Sequence, residues 1–102
     1  MLIQNLISHG DKLDKERQVD HWIYFPTDGD RQQFAKQILA KGFKIEGEGE
    51  VEAIDGKPFQ LHFSRQDSVT VEATDDYILE LWQLATQSNG TYDGWETFVV
   101  RE

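Results

Sequence analysis

Between Phe43 and Ala53 the chain alternates with a period of two. Phe43, Ile45, Val51 and Ala53 hold one parity, Lys44, Glu46, Glu48, Glu50 and Glu52 hold the other, and Gly47 and Gly49 fill the apolar parity between them. A period of two sustained this long belongs to a β-strand with one buried and one wet face. The two glycines point to a bulge, or to a helix packed closely over the strand. Asp55-Gly56 then signals a hairpin turn within a loop carrying Pro58, and Phe59, Leu61 and Phe63 alternate with Gln60, His62 and Ser64 as the partner strand. An antiparallel hairpin in the middle of the chain is therefore the frame for everything else.

On either side of it the pattern repeats as strand and helix. Val19 to Phe25 is rich in β-branched and aromatic residues and reads as a strand that Pro26 ends. Thr27-Asp28-Gly29-Asp30 supplies a helix cap and first-turn carboxylates. The helix runs to about Lys41 with Phe34, Ala35, Ile38 and Leu39 as its apolar stripe, and Gly42 closes it. After the hairpin, residues 66–74 read as a polar connector. Thr74 caps a second helix with Ile78, Leu81, Trp82 and Ala85 inward, Asn89-Gly90 stops it, and Tyr92 to Val100 is a last strand. Ahead of the first strand, Leu2, Ile3, Leu6 and Ile7 share a helical face that ends at Gly10.

These elements predict one domain over residues 1–102: a leading helix (1–10), a charged connector (11–18) and a βαββαβ core (19–102). Two βαβ units joined by a hairpin fold most simply into an α+β ferredoxin-like sandwich. It has a four-stranded antiparallel sheet with both helices on one face, and the other face open.

Composition narrows the function. The 102 residues are 38% hydrophobic and 12% aromatic, enough for one core. No apolar run approaches the roughly 18 residues of a membrane helix, and the apolar start breaks at Gln4-Asn5 without a basic lead-in, so no signal peptide is expected. With no cysteine there is no disulfide, thiolate nucleophile or cysteine-based zinc site, which fits a cytoplasmic protein. Ten Lys+Arg against 19 Asp+Glu give a net charge of -9. Such a surface repels phosphate backbones, so the expected partner is a protein with a basic surface, not nucleic acid or a membrane.

On the first strand, Val19, His21, Ile23 and Phe25 are assigned to the helix-covered side. Asp20, Trp22 and Tyr24 then point to the open face, with Glu46, Glu48, Glu50 and Glu52 from the second strand and Gln60, His62 and Ser64 from the third. The candidate partner-binding residues are accordingly Trp22 and Tyr24 as anchors and the four glutamates as steering charges. Two plainer readings stand beside this one. The glutamates can be just the solvated side of a strand, and the leading helix can lie over Trp22 and Tyr24. Base stacking on the aromatics, as in RNA-recognition domains, lacks the Lys and Arg it needs. The three histidines, His9, His21 and His62, have no metal-ligand spacing. The loop Pro26–Asp30 would repel an anion although Arg31 follows. No catalytic residue, metal site or cofactor site is expected, and a pocket lined by His62, Trp22 and Glu48 is the feature that would revive an enzyme.

The last strand reads Tyr92-Asp93-Gly94-Trp95-Glu96-Thr97. It resembles the Tyr-Asp-Gly-Trp-x-Thr signature of the RraB family, the B-type protein regulators of ribonuclease E. The order of elements is similar as well: a leading helix ending near Gly10-Asp11, a strand, a helix ending Lys41-Gly42-Phe43, an Asp-Gly hairpin, and a second helix before the signature. The resemblance implies a ferredoxin-like domain and a non-catalytic acidic protein that binds the ribonuclease and lowers its activity. The family's long acidic C-terminal tail and acidic N-terminal extension have no counterpart in this sequence. The signature itself reads in two ways: structurally, with Gly94 permitting a bulge or close packing and Trp95 anchoring the core ahead of Thr97, or as partner contact, with Tyr92 and Asp93 as the residues involved. Two other functions remain open, a neutraliser of another basic protein such as a toxin nuclease, and a small enzyme or ligand-binding domain.

Overall fold

A computed structural model describes residues 3–8, 10, 13, 15–54 and 56–98. Its strands are β1 (Arg17–Phe25), β2 (Lys44–Ile54), β3 (Lys57–Asp67) and β4 (Thr91–Glu96), paired antiparallel in the order β2-β3-β1-β4. One helix (Asp28–Leu39) joins β1 to β2 and a longer one (Val71–Gln87) joins β3 to β4. No helix among the described residues is long and apolar enough to cross a membrane.

The alternation of β1 decides the layers. Arg17, Val19, His21, Ile23 and Phe25 are buried and the residues between them half-buried. The β1–β3 register runs without a break from Arg17↔Asp67 to Phe25↔Phe59, so Ile23 lies opposite Leu61 and His21 opposite Phe63. Directly opposed residues share a face. Ile23, Phe25, Leu61 and Phe63 form one core with Phe34, Ala35 and Ile38 of the first helix and Leu81 and Ala85 of the second. Both helices therefore cover the same side of the sheet.

Several element ends depart from expectation. β1 begins at Arg17, not Val19, because the Arg17 guanidinium donates to the carbonyls of Lys15 and Phe98 and is drawn almost wholly out of water. The second helix is capped by Thr70, whose Oγ1 accepts from the Ala73 N–H (3.3 Å). Thr74 sits inside the helix, buried, and donates to the Thr70 and Val71 carbonyls. On that helix Tyr77 is buried, while Trp82 and Leu79 are exposed; Leu39 of the first helix is also exposed. β3 already begins at Lys57, and Pro58, with no N–H to give, lies between the pairs Glu50↔Phe59 and Ile54↔Lys57, where the register shifts. β4 ends at Glu96, with Thr97 and Phe98 outside it; Val99 and Val100 of the expected strand lie outside the described residues.

The end of the second helix shows how tightly the core is closed. The Gly90 N–H donates to the Ala85 carbonyl (2.7 Å). A Cβ built at Gly90 would lie 2.6 Å from Cε1 of Phe25, a fully buried ring. Gly90→Ala must push that ring aside, and denaturant melts should show a loss of about 1–3 kcal/mol, the usual cost of overpacking.

Candidate functional site

The side of the sheet opposite the helices is built from the other parity. Asp20 lies opposite Ser64 on β3 and Glu96 on β4, Trp22 opposite His62 and Gly94, and Tyr24 opposite Gln60 and Thr91. These cross-strand sets are bonded to one another. The Trp22 and His62 rings stack at 4.5 Å with their planes 11° apart. His62 Nε2 is 2.9 Å from Asp20 Oδ1, which also accepts from Gln18. Gln60 donates to the Tyr24 hydroxyl (2.9 Å), and the Ser64 hydroxyl donates to Glu46 Oε1 (2.7 Å). Trp22 and Tyr24 thus sit where expected, half-buried and held by polar neighbours.

The glutamate ladder does not. Lys44 pairs with Ser64 and Ile45 with Phe63, but the next pair is Gly47 with His62. Glu46 is an extra residue on β2, and this bulge inverts the parity of the strand beyond it. Gly47 and Gly49 fall on the open face, while Glu48 and Glu50 lie opposite Leu61 and Phe59 on the helix side. Both reach solvent because β2 is an edge strand. Glu48 leans to the first helix, where Gln32 donates to it (3.3 Å) and Arg31 is 3.8 Å away. Glu52 is exposed in the stretch of shifted register. Of the four, Glu46 alone is tied to the open face, so the pocket of His62, Trp22 and Glu48 is not formed.

The signature strand divides by a second bulge. Tyr92 pairs with Ile23 and Gly94 with Trp22, which leaves Asp93 as the additional residue. Tyr92 faces the core, and its hydroxyl is 2.7 Å from His21 Nδ1. Gly94 has φ +141°, a conformation that side chains rarely adopt. Trp95 lies opposite His21 and packs half-buried against the Val19, Val69 and Tyr77 cluster. Thr97 is buried and donates to the Gln18 carbonyl (2.8 Å). Asp93 and Glu96 are exposed, and with Trp22, Gly94 and Trp95 they line an open cleft of about 420 Å³. The place of Glu96 was missed by sequence reasoning, because which strand β4 pairs with, and in what register, leaves no mark in its own pattern.

Arg31 is nearly buried: it donates to Asp28 and to the carbonyls of Gly49 and Gln60, with its guanidinium 5.2 Å from the Phe59 ring centre. These bonds from Arg31, then from Gln32, hold the Asp28 carboxyl below the usual carboxylate range. Burial pushes the Tyr77 and Tyr92 hydroxyls well above the ordinary phenol range. Among the described residues no three His, Asp or Glu side chains gather as metal ligands.

A small α+β protein with one sheet face turned away from its two long helices, set with bonded aromatics and carboxylates, is the class this arrangement defines. Residues 1–97 match the family model described as Regulator of ribonuclease activity B, and the chain belongs to this RraB family, whose members are regulators of ribonuclease activity. No curated protein matches the sequence.

His21 makes folding sensitive to acid. It stacks on Phe63 at 5.3 Å, and its Nε2 has no hydrogen-bond partner among the described residues. Burial, and secondarily Arg65, lower its pKa from 6.5 to about 3, with Asp20 opposing and His62 adding to the fall. The unfolded chain accepts a proton below pH 6.5 that the folded protein refuses, so this contribution is complete above pH 6.5 and is lost as pH falls toward 3. The slope is at most about 1.4 kcal/mol per pH unit. Denaturant melts of the protein and of His21→Phe at pH 7 and pH 5 should show a smaller pH-induced loss in the variant.

Proposed function

We propose that the protein is a non-catalytic, acidic protein-binding module. It lowers the activity of a ribonuclease of the ribonuclease E type by contact, in the cytoplasm, using a ferredoxin-like βαββαβ sandwich as a single domain with a short N-terminal helix. The helical backbone of Ile3–Ser8 supports that last element, and the strand order β2-β3-β1-β4 supports the sandwich. The family supplies the ribonuclease.

The observation that carries the reading is the sheet face opposite the two long helices. It holds the Trp22–His62 stack at its centre, with Asp20, Glu46, Asp93 and Glu96 around it. Aromatic side chains fixed by neighbours are efficient anchors. A net charge of -9 draws a basic partner in before contact.

The test is direct. Purified ribonuclease E should cleave an RNA substrate more slowly when the protein is added, and association should slow as salt rises. Asp93→Lys with Glu96→Lys should slow association about tenfold at physiological salt. Glu50→Lys with Glu52→Lys, the same charge change on β2, should slow it less than about threefold, because screening over about 8 Å limits remote charges. Unchanged cleavage with no measurable binding would overturn the proposal.

A further inference from the structure

The cleft beside Trp22 owes its existence to the backbone. His62 covers one face of the indole, with its ring 4.5 Å away. On the other flank stands β4, where the residue opposite Trp22 is Gly94. No side chain rises from that position, and a Cβ built there meets nothing within 4 Å. The φ of +141° at Gly94 makes the vacancy hard to fill by substitution. Two carboxylates, Asp93 on the bulge and Glu96 opposite Asp20, stand at the space that remains, about 420 Å³ in all.

We propose that this cleft receives a single arginine side chain from a basic segment of the protein partner, its guanidinium lying on the indole of Trp22 and bonded to Asp93 and Glu96. The inference rests on the protein-binding reading above and names the chemistry of its central contact. An aromatic face attracts a cation, and the flat, weakly hydrated guanidinium stacks there better than an ammonium. Its fork of N–H groups suits carboxylates. Other occupants fit less well. An apolar side chain would strip water from two carboxylates without replacing their hydrogen bonds, and a nucleotide would bring a phosphate toward them.

The probe is a short peptide with one arginine between glycines, compared with the same peptide carrying lysine or citrulline. The readout is the set of indole N–H resonances of the intact protein, with that of Trp22 assigned through Trp22→Phe. The arginine peptide should move the Trp22 signal in a saturable way. The lysine peptide should bind about threefold or more weakly, and the neutral citrulline peptide about tenfold or more weakly. Asp93→Asn with Glu96→Gln should weaken the arginine peptide by a similar factor while the remote Trp82 signal keeps its position and the denaturant midpoint is unchanged, which reports that the fold is intact. Equal binding of arginine and citrulline peptides, or perturbation confined to Trp82, would overturn the proposal. Ribonuclease inhibition is scored separately. A functioning cleft in a protein that does not slow the ribonuclease would leave this inference standing and remove the regulator reading, and the converse would do the reverse.

Discussion

The unbroken alternation of β1 is the constraint on which the rest depends. Every second residue from Arg17 to Phe25 is buried, and the strand pairs with β3 along its whole length without a slip. Each open-face residue of β1 is thereby tied to a particular neighbour: Asp20 to His62, Trp22 to the same imidazole by stacking, Tyr24 to Gln60. A one-residue slip of this ladder would put Trp22 into the core and His21 into water. The position of the candidate binding surface and the identity of the core are therefore one decision.

Three arginines of this acidic chain, Arg17, Arg31 and Arg65, are committed to its own framework. Arg17 holds the start of β1 to the carbonyls of Lys15 and Phe98. Arg31 fastens the first helix to β2 and β3 through the Gly49 and Gln60 carbonyls. Arg65 pairs with Asp67 and lies 4.1 Å over the Phe43 ring. Two lysines by contrast face water: the Lys44 side chain is 78% exposed, and Lys41 pairs with Glu80 at the surface (2.6 Å).

The sequence was most legible in the two central strands and least legible at the sheet edges. β1 and β3 announce themselves because Val19, Ile23, Phe25, Phe59, Leu61 and Phe63 all fall on the covered parity. The β2 pattern misleads because its bulge comes at Glu46, inside an even-spaced run of glutamates. On an edge strand Glu48 and Glu50 reach water from either face, so the inversion leaves no polar residue stranded and no trace in the alternation. Gly47 and Gly49 did signal irregularity, but not its direction. For the second helix the cap was read at Thr74, because Asp75 and Asp76 follow it. The cap is Thr70, one residue after the buried Val69, and the helix starts a turn earlier than the carboxylates suggested. In the signature strand, the extra residue is Asp93 beside Gly94, and Trp95 is half-buried at the rim of the Val19, Val69 and Tyr77 cluster. The inward turn of Tyr92 toward His21 was hidden, since it depends on the bulge at Asp93.

The register shifts, two in the β2–β3 ladder and one where β4 pairs with β1, all involve an outer strand, and none lies on the β1–β3 ladder. An outer strand with a straight run of unpaired N–H and C=O groups is a template for another strand. Here each outer strand is kinked, and each kink carries an acid, Glu46 on one side and Asp93 on the other. Copies of this chain meeting edge to edge would face mismatched backbones and like charges, which disfavours fibres and continuous sheets even in a crowded solution. The same edges deny an incoming peptide the generic grip of strand addition, so discrimination among partners falls to the side chains standing on the face between them.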